Sequence, residues 1–296
     1  MSRINIVFDS SNLDLFILCA ARYNYARNLN KSLPSKAMQL DRGTLVHLGN
    51  EVYYGMLKDG AKYQDAVTAA LSSIRTKGVT ETELDSEVVN RVIDTMEEYY
   101  DYWRVEDENL NIVEVEKPFI YTLHEDDEIR ISMAGKIDLV ANPKGYTNLP
   151  YDHKSFDRTF ETSRLSNQFM NYCMALRSNF LIVNKIGFQK TLKPHEKFTR
   201  VPLSYDKYIL DEWKNNVVQV LVNHYLTCVG EQHWPMNITS CFKFNRKCEF
   251  YEVCDSSGKE AKMFKLSANY IDVEPWDVSK VMRRSSENAI QKVAED

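Results

Sequence analysis

Gly135-Lys136-Ile137-Asp138, continued through Asn142-Pro143-Lys144-Gly145 to Asp152-His153-Lys154, is the stretch on which the reading of this chain turns. Polar and apolar residues alternate over 128–140 and again over 148–154, as they do in half-buried strands. The Asn-Pro-Lys-Gly run between them has turn chemistry. Gly145 lies seven residues from each aspartate. A hairpin folded about that point sets Asp138 and Asp152 opposite each other, where cross-strand Cβ atoms are about 4.5–5.5 Å apart. Two carboxylates that close repel unless a cation lies between them. Hard oxygen ligands on a shared face suit Mg2+ or Mn2+. Alternation also puts Lys154 on the face of Asp152 and turns His153 away. A lysine there can position a water or stabilise charge on a phosphate oxygen. Asp-x-Lys also occurs in ordinary surface strands, as a solvated ion pair worth little.

Upstream the period is helical. Ser11 is placed to cap a helix over about 12–28 that carries Leu15, Leu18, Arg22 and Tyr25. A second helix starts near Asp41, with Gly43, His47 and Glu51 at four-residue steps and hence on one face. Leu84, Val88, Val92, Met96, Tyr99 and Trp103 predict a long amphipathic helix over 81–103. A strand over 111–119 then brings in Glu116, a further acidic candidate together with Glu51, although a strand edge or helix face explains both equally well. Downstream, a helix is expected over 163–179, strands over 181–188 and 198–203, and a helix over 206–228. This order predicts an α/β fold, a central mixed β-sheet flanked by helices. With no repeat and no linker, one domain is expected over 1–260, with core strands at 111–205, a helical insertion at 55–105 and a C-terminal extension at 261–296.

Composition bounds the function. The chain has 296 residues, 44% hydrophobic and 27% charged, which argues against disorder and fibrous classes. Its apolar runs are too short to cross a bilayer, and no N-terminal signal-peptide pattern is present, so a cytoplasmic location without membrane contact is expected. With 37 basic against 42 acidic side chains, the net charge of −5 argues against wholesale coating of nucleic acid but not against a local groove. Basic residues cluster at Arg22, Arg27, Lys31 and Lys36, at Lys185 to Arg200, and at Lys243 to Lys247. Cys241-x6-Cys248-x5-Cys254 lies toward the C-terminal end among aromatic residues, while Cys173 and Cys228 fall in helices among apolar residues and read as core. Clustered cysteines in a reducing compartment bind metal or do redox chemistry more often than they pair.

Taken together, the motifs resemble the RecB-like branch of the PD-(D/E)XK nuclease superfamily. That branch carries an N-terminal helix with a cysteine, Gly-x-x-x-His, Gly-x-x-Asp, (Asp/Glu)-x-Lys and Gln-x-x-x-Tyr. Here these read Cys19, Gly43 to His47, Gly135 to Asp138, Asp152 to Lys154 and Gln168 to Tyr172, in family order. The resemblance implies a restriction-endonuclease-like core. It implies that His47, Asp138, Asp152 and the main-chain carbonyl of His153 ligate a catalytic Mg2+ or Mn2+, and that Lys154 orients the attacking water. Gln168 and Tyr172 would face the DNA strand near the scissile phosphate. It also implies a [4Fe–4S] cluster held by Cys19, Cys241, Cys248 and Cys254, joining N- and C-terminal segments. The first cysteine gap is six residues where the family more commonly has two, so a four-cysteine Zn2+ site is the alternative.

The function implied is a metal-dependent DNA exonuclease acting on single-stranded or duplex ends in recombination, replication or repair. The rivals are a sequence- or structure-specific endonuclease and an inactive DNA-binding scaffold. No Gly-x-x-x-x-Gly-Lys-Ser/Thr occurs, so a helicase or recombination protein working with it would be a separate chain.

Overall fold

The computed structural model of the chain describes residues 3–34, 42–80, 85–157, 161–243 and 246–279. Lys36, Asp41, Glu81 and Leu84, as well as the end of the expected C-terminal extension from 280 onward, lie outside them. The chain opens on a strand, β1 (Ile4–Asp9), with Ile6 and Phe8 buried between outward neighbours. That alternation is a strand signal, short enough to be masked by the helical period that follows it. The cap of α1 (Ser10–Leu18) is Asp9 rather than Ser11: its carboxylate accepts the Asn12 N–H at 2.6 Å. The continuous helix expected to 28 is interrupted at Cys19, which is extended (φ −167°, ψ 111°). Beyond it come α2 (Ala20–Tyr23) and a π-helical turn, Asn24–Asn28. The break turns the Cys19 sulfur to the Asn237 N–H at 3.4 Å and lets Ala21 N–H reach the Pro235 carbonyl at 3.1 Å.

After β2 (Lys31–Ser32) come three helices: α3 (Arg42–Lys58), α4 (Tyr63–Thr80) and α5 (Ser86–Glu108). Asp85 caps α5 by accepting the Glu87 N–H at 3.0 Å, which sets its start later than 81. Close helix packing depends on two glycines. A Cβ on Gly49 would stand 2.6 Å from Ile74 Cδ1, and one on Gly78 would stand 2.6 Å from Val89 Cγ1. The strands follow as β3 (Asn111–Glu125), β4 (Ile129–Asn142) and β5 (Leu149–Phe156). Then come α6 (Asn167–Leu176), β6 (Phe180–Gly187), α7 (Pro194–Lys197) and β7 (Phe198–Ser204). A helical stretch, α8 (Lys207–Gln219), a π-helical turn at Val220–Tyr225 and α9 (Leu226–Glu231), leads to the cysteine segment. That segment contains β8 (Phe242–Lys243), β9 (Arg246–Lys247), α10 (Tyr251–Cys254), α11 (Lys259–Asn269) and β10 (Ile271–Asp272).

The chain forms two compact units. The first is Met1–Met38, Ile120–Gly135 and Tyr208–Arg284. In it β1 runs parallel to the start of β4, from Ile4↔Ile129 to Asp9↔Ala134, and β10 pairs with β2. Phe250, Val253, Leu266 and Tyr270 form a small core there. The described residues of the second unit fall within Gln39–Phe119 and Lys136–Lys207. Its part of β4 is antiparallel to β5, β5 is parallel to β6, and β6 is antiparallel to β7, while β3 also pairs with β4. The sheet is therefore mixed. Apolar faces of α3, α4 and α5 pack on one side of it, with Val46, Tyr53, Ile74, Val92 and Met96 against Leu139, Tyr151 and Ile186. The short helix α6 lies against β5 and β6. Among the described residues, no helix is long and apolar enough to cross a membrane.

Candidate active site

The β4–β5 register pairs Leu139 with Tyr151, Val140 with Pro150 and Ala141 with Leu149, so Asp138 and Asp152 lie one step beyond the last pair. Both carboxylates are buried, at 7% and 0% exposure. The peptide N–H of His153 donates to Asp138 Oδ2 at 2.7 Å. Helix α3 brings His47 Nδ1 to 3.5 Å from the same oxygen. Ligand atoms of His47, Glu116 and Asp138 all lie within 4.8 Å of one another. Glu116 reaches this point from the middle of β3 with φ +52°, the left-handed region that a residue with a Cβ adopts at a cost. Sequence reasoning treated Glu116 as an ordinary strand-edge residue as readily as a ligand, because a kinked strand has no local signature in its residue types.

The electrostatics suit a cation. Burial pushes the Asp138, Asp152 and Glu116 carboxyls up, Glu116 to about 7. The Asp138 charge raises Asp152 further, and the Lys136 ammonium, ion-paired to Glu116, opposes that group's rise. Burial also pushes His47 down, against the pull of Glu116 and Asp152, leaving the neutral imidazole that ligates metals. Asp152 Oδ2 is buried and, among the described residues, accepts no well-aligned hydrogen bond, although the Lys154 ammonium stands 3.0 Å away as an ion pair. A hard divalent ion would satisfy that oxygen and lower all three carboxyls at once. The donor set of one imidazole and acidic oxygens therefore fits Mg2+ or Mn2+.

Lys154 Nζ lies 3.0 Å from Asp152 Oδ2 and donates to Gln168 Oε1 at 2.8 Å. Gln168 Nε2 donates to the Tyr172 hydroxyl at 2.9 Å, which donates to the Lys136 carbonyl at 2.8 Å. Tyr172 is buried, at 4% exposure. Gln168 is half-buried, and helical spacing puts it and Tyr172 on one face, which meets Lys154 and the sheet. The His153 ring is buried too, stacked on Tyr54 with centroids 5.5 Å apart and planes 3° apart.

The basic clusters are less available than their sequence grouping suggests. Arg22 pairs with Glu249, Lys31 with Asp272, Lys197 with Glu98, Arg200 with Asp107 and Lys247 with Glu252. Arg27 donates to the Asn12 side chain. These side chains tie elements together within their own units.

A second constellation lies in the first unit. Cys19 is buried, Cys241, Cys248 and Cys254 are half-buried, and none is in a disulfide. Burial raises Cys254 to about 11, and the nearby thiols of Cys19, Cys241 and Cys248 add to the rise. Burial also raises Cys241, helped by Cys19 and Cys248. The four sulfurs therefore share one electrostatic neighbourhood. Among the described residues they do not form a set with ligand atoms within 4.8 Å of one another, as His47, Glu116 and Asp138 do; a metal held by them would favour the thiolates. Arg22 Nε donates to Glu249 Oε1 at 3.0 Å beside Cys248. Tyr25, Phe250 and Tyr270 stack alongside, with centroids 5.3 and 5.1 Å apart. Cys173 and Cys228 are buried elsewhere, as core thiols.

Residues 10–255 match the family model for the PD-(D/E)XK nuclease superfamily, and the chain belongs to that superfamily. No curated protein matches it. Solved structures similar to it include LHK-Exo in complex with dAMP, 10% identical, which covers 64% of this chain and 96% of its own at a TM-score of 0.31. Another is an alkaline exonuclease (LHK-Exo) from Laribacter hongkongensis, 9% identical, covering 63% of this chain and 97% of its own at the same TM-score.

Proposed function

We propose that the chain is a Mg2+- or Mn2+-dependent deoxyribonuclease of the RecB-like branch, an exonuclease that hydrolyses phosphodiester bonds at single-stranded or duplex DNA ends. The observation that carries this reading is the convergence of His47, Glu116 and Asp138 within 4.8 Å, beside the Asp152–Lys154 pair. The preference for ends rests on the order of motifs from Cys19 to Tyr172. In this reading His47, Asp138, Asp152 and the His153 carbonyl hold the ion, and Glu116 joins them. Such an ion lowers the pKa of a water and offsets charge on the phosphate.

The side chains do the rest. Asp152 and Gln168 fix the Lys154 ammonium, whose side chain is 34% exposed and so can meet a water or a phosphate oxygen. Tyr172 anchors Gln168 to the backbone of β4, so the lysine is held from two elements. The neutral His47 imidazole keeps a lone pair for the ion. In the same reading Cys19, Cys241, Cys248 and Cys254 ligate a [4Fe–4S] cluster, with zinc as the competing occupant. A helicase or recombination protein would act beside it as a separate partner.

End-labelled linear and circular single-stranded DNA, each incubated with Mg2+ or Mn2+, test the reading. Degradation of linear DNA alone is expected. Cutting of circles would make the protein an endonuclease, and DNA binding without cutting would make it a scaffold. Elemental analysis separates the cluster types: iron with acid-labile sulfide is expected, and stoichiometric zinc without iron would overturn that assignment.

A further inference from the structure

We propose that a buried polar chain running from Arg200 through Asp107, Tyr54, Tyr99 and Asn184 to His153 positions the Asp138 carboxylate, an inference that rests on the reading of Asp138 as a ligand of the catalytic ion. The chain begins at an ion pair. Arg200 Nη2 donates to Asp107 Oδ1 at 2.5 Å, with the two side chains 13% and 0% exposed. The Tyr54 hydroxyl donates to Asp107 Oδ2 at 3.2 Å and lies 2.8 Å from the Tyr99 hydroxyl. Asn184 Nδ2 donates to the Tyr99 hydroxyl and lies 3.0 Å from His153 Nδ1.

The proton directions are determined from one end. Asp107 can only accept, so Tyr54 donates to it and Tyr99 donates to Tyr54. Asn184 then supplies both of its amide hydrogens, one to Tyr99 and one to His153 Nδ1. With the Asn184 amide so oriented, His153 Nδ1 accepts and the ring proton sits on Nε2. The imidazole is thus held at its edge by Asn184 and on its face by the parallel Tyr54 ring. The peptide N–H of the same residue donates to Asp138 Oδ2. Locking the ring locks the peptide, and the peptide aims the carboxylate.

Stability alone does not account for the chain. A buried ion pair is weak evidence for stability, since apolar side chains of the same volume serve as well. What an apolar replacement could not supply is a directional restraint on His153.

Tyr99→Phe and Tyr54→Phe each remove one hydroxyl and keep the ring packing against Phe198, Tyr100 and His153. Calorimetric titration of each variant with Mn2+, without DNA, is the test, run beside thermal unfolding and an Asp138→Asn control. Affinity for Mn2+ should fall about tenfold, the lower range for outer-shell partners of a metal site. The turnover number on single-stranded DNA should recover at saturating Mn2+. Unchanged Mn2+ affinity with a lowered melting temperature would reduce the chain to a structural role and overturn the proposal. If Asp138→Asn binds Mn2+ like the parent, the metal-site reading fails and the proposal with it. If Asp138→Asn loses Mn2+ and the phenylalanine variants do not, only the positioning chain fails. Should one phenylalanine variant not fold, the other carries the measurement.

Discussion

Glu116 stands in the left-handed region in the middle of a strand, at a cost of about 1–2 kcal/mol for a residue with a Cβ. That strain brings a third acidic group to His47 and Asp138. Glu116→Gln keeps the shape and removes the charge, so Mn2+ affinity measured by calorimetry should drop by about tenfold or more. Lys154→Ala should leave Mn2+ binding intact but lower turnover on linear DNA by roughly 10²–10³, the cost of removing one preorganised donor; unchanged turnover would contradict the role given to the lysine. The titration of Glu116 has a sign that can be checked. Its carboxyl lies above its ordinary 4.5, at about 7, so between these values the folded chain holds a proton that the unfolded chain has released. Its contribution to metal-free stability is full below about 4.5 and is lost as pH rises through 7. Added Mn2+ replaces the proton, so the gain in melting temperature from Mn2+ should be larger at pH 8 than at pH 5.5. An equal gain at both would contradict the assignment.

Elements carry their own tests. At Gly49 of α3 an added Cβ meets Ile74 and, at 2.9 Å, the Tyr100 hydroxyl. Gly49→Ala should therefore lower stability by about 1–3 kcal/mol in urea unfolding, the usual range for overpacking. Arg177 ends α6 with φ +53°. Arg177→Gly relieves that conformation and should stabilise by roughly 0.5–1 kcal/mol. Element type was well expressed in residue order. The alternation around Asp138 and Asp152 and the turn at Gly145 led to β4, β5 and their register, because one buried face enforces period two. The spacing of Gly43, His47 and Glu51 placed His47 on α3 for the equivalent helical reason. What stayed hidden depends on distant partners. The kink at Glu116, the interruption at Cys19 and the burial of Tyr172 are decided by residues far along the chain. No local pattern encodes them. The basic clusters misled for the same reason, since Arg200 finds Asp107 and Arg22 finds Glu249 only after folding.

For the whole molecule the governing fact is that each unit is assembled from separated stretches, with β4 passing from one to the other at Gly135. The four-cysteine constellation belongs to the first unit, and Cys248 packs against its small local core of Phe250, Val253, Leu266 and Tyr270. Such a core gains heavily from a metal that binds only the folded form. Cys254→Ser should therefore lower both the metal content and the midpoint of thermal unfolding, and an unchanged midpoint would show that the thiols hold nothing of structural weight. The same interleaving puts a clock on biosynthesis. Cys19 precedes Cys241 by 222 positions. At about 5–20 residues per second on the ribosome, the first thiol waits on the order of 10–40 s before its companions exist. During that interval it is a nascent-chain cysteine open to oxidants and chaperones, and any metal loading at the four thiols follows the synthesis of Cys254.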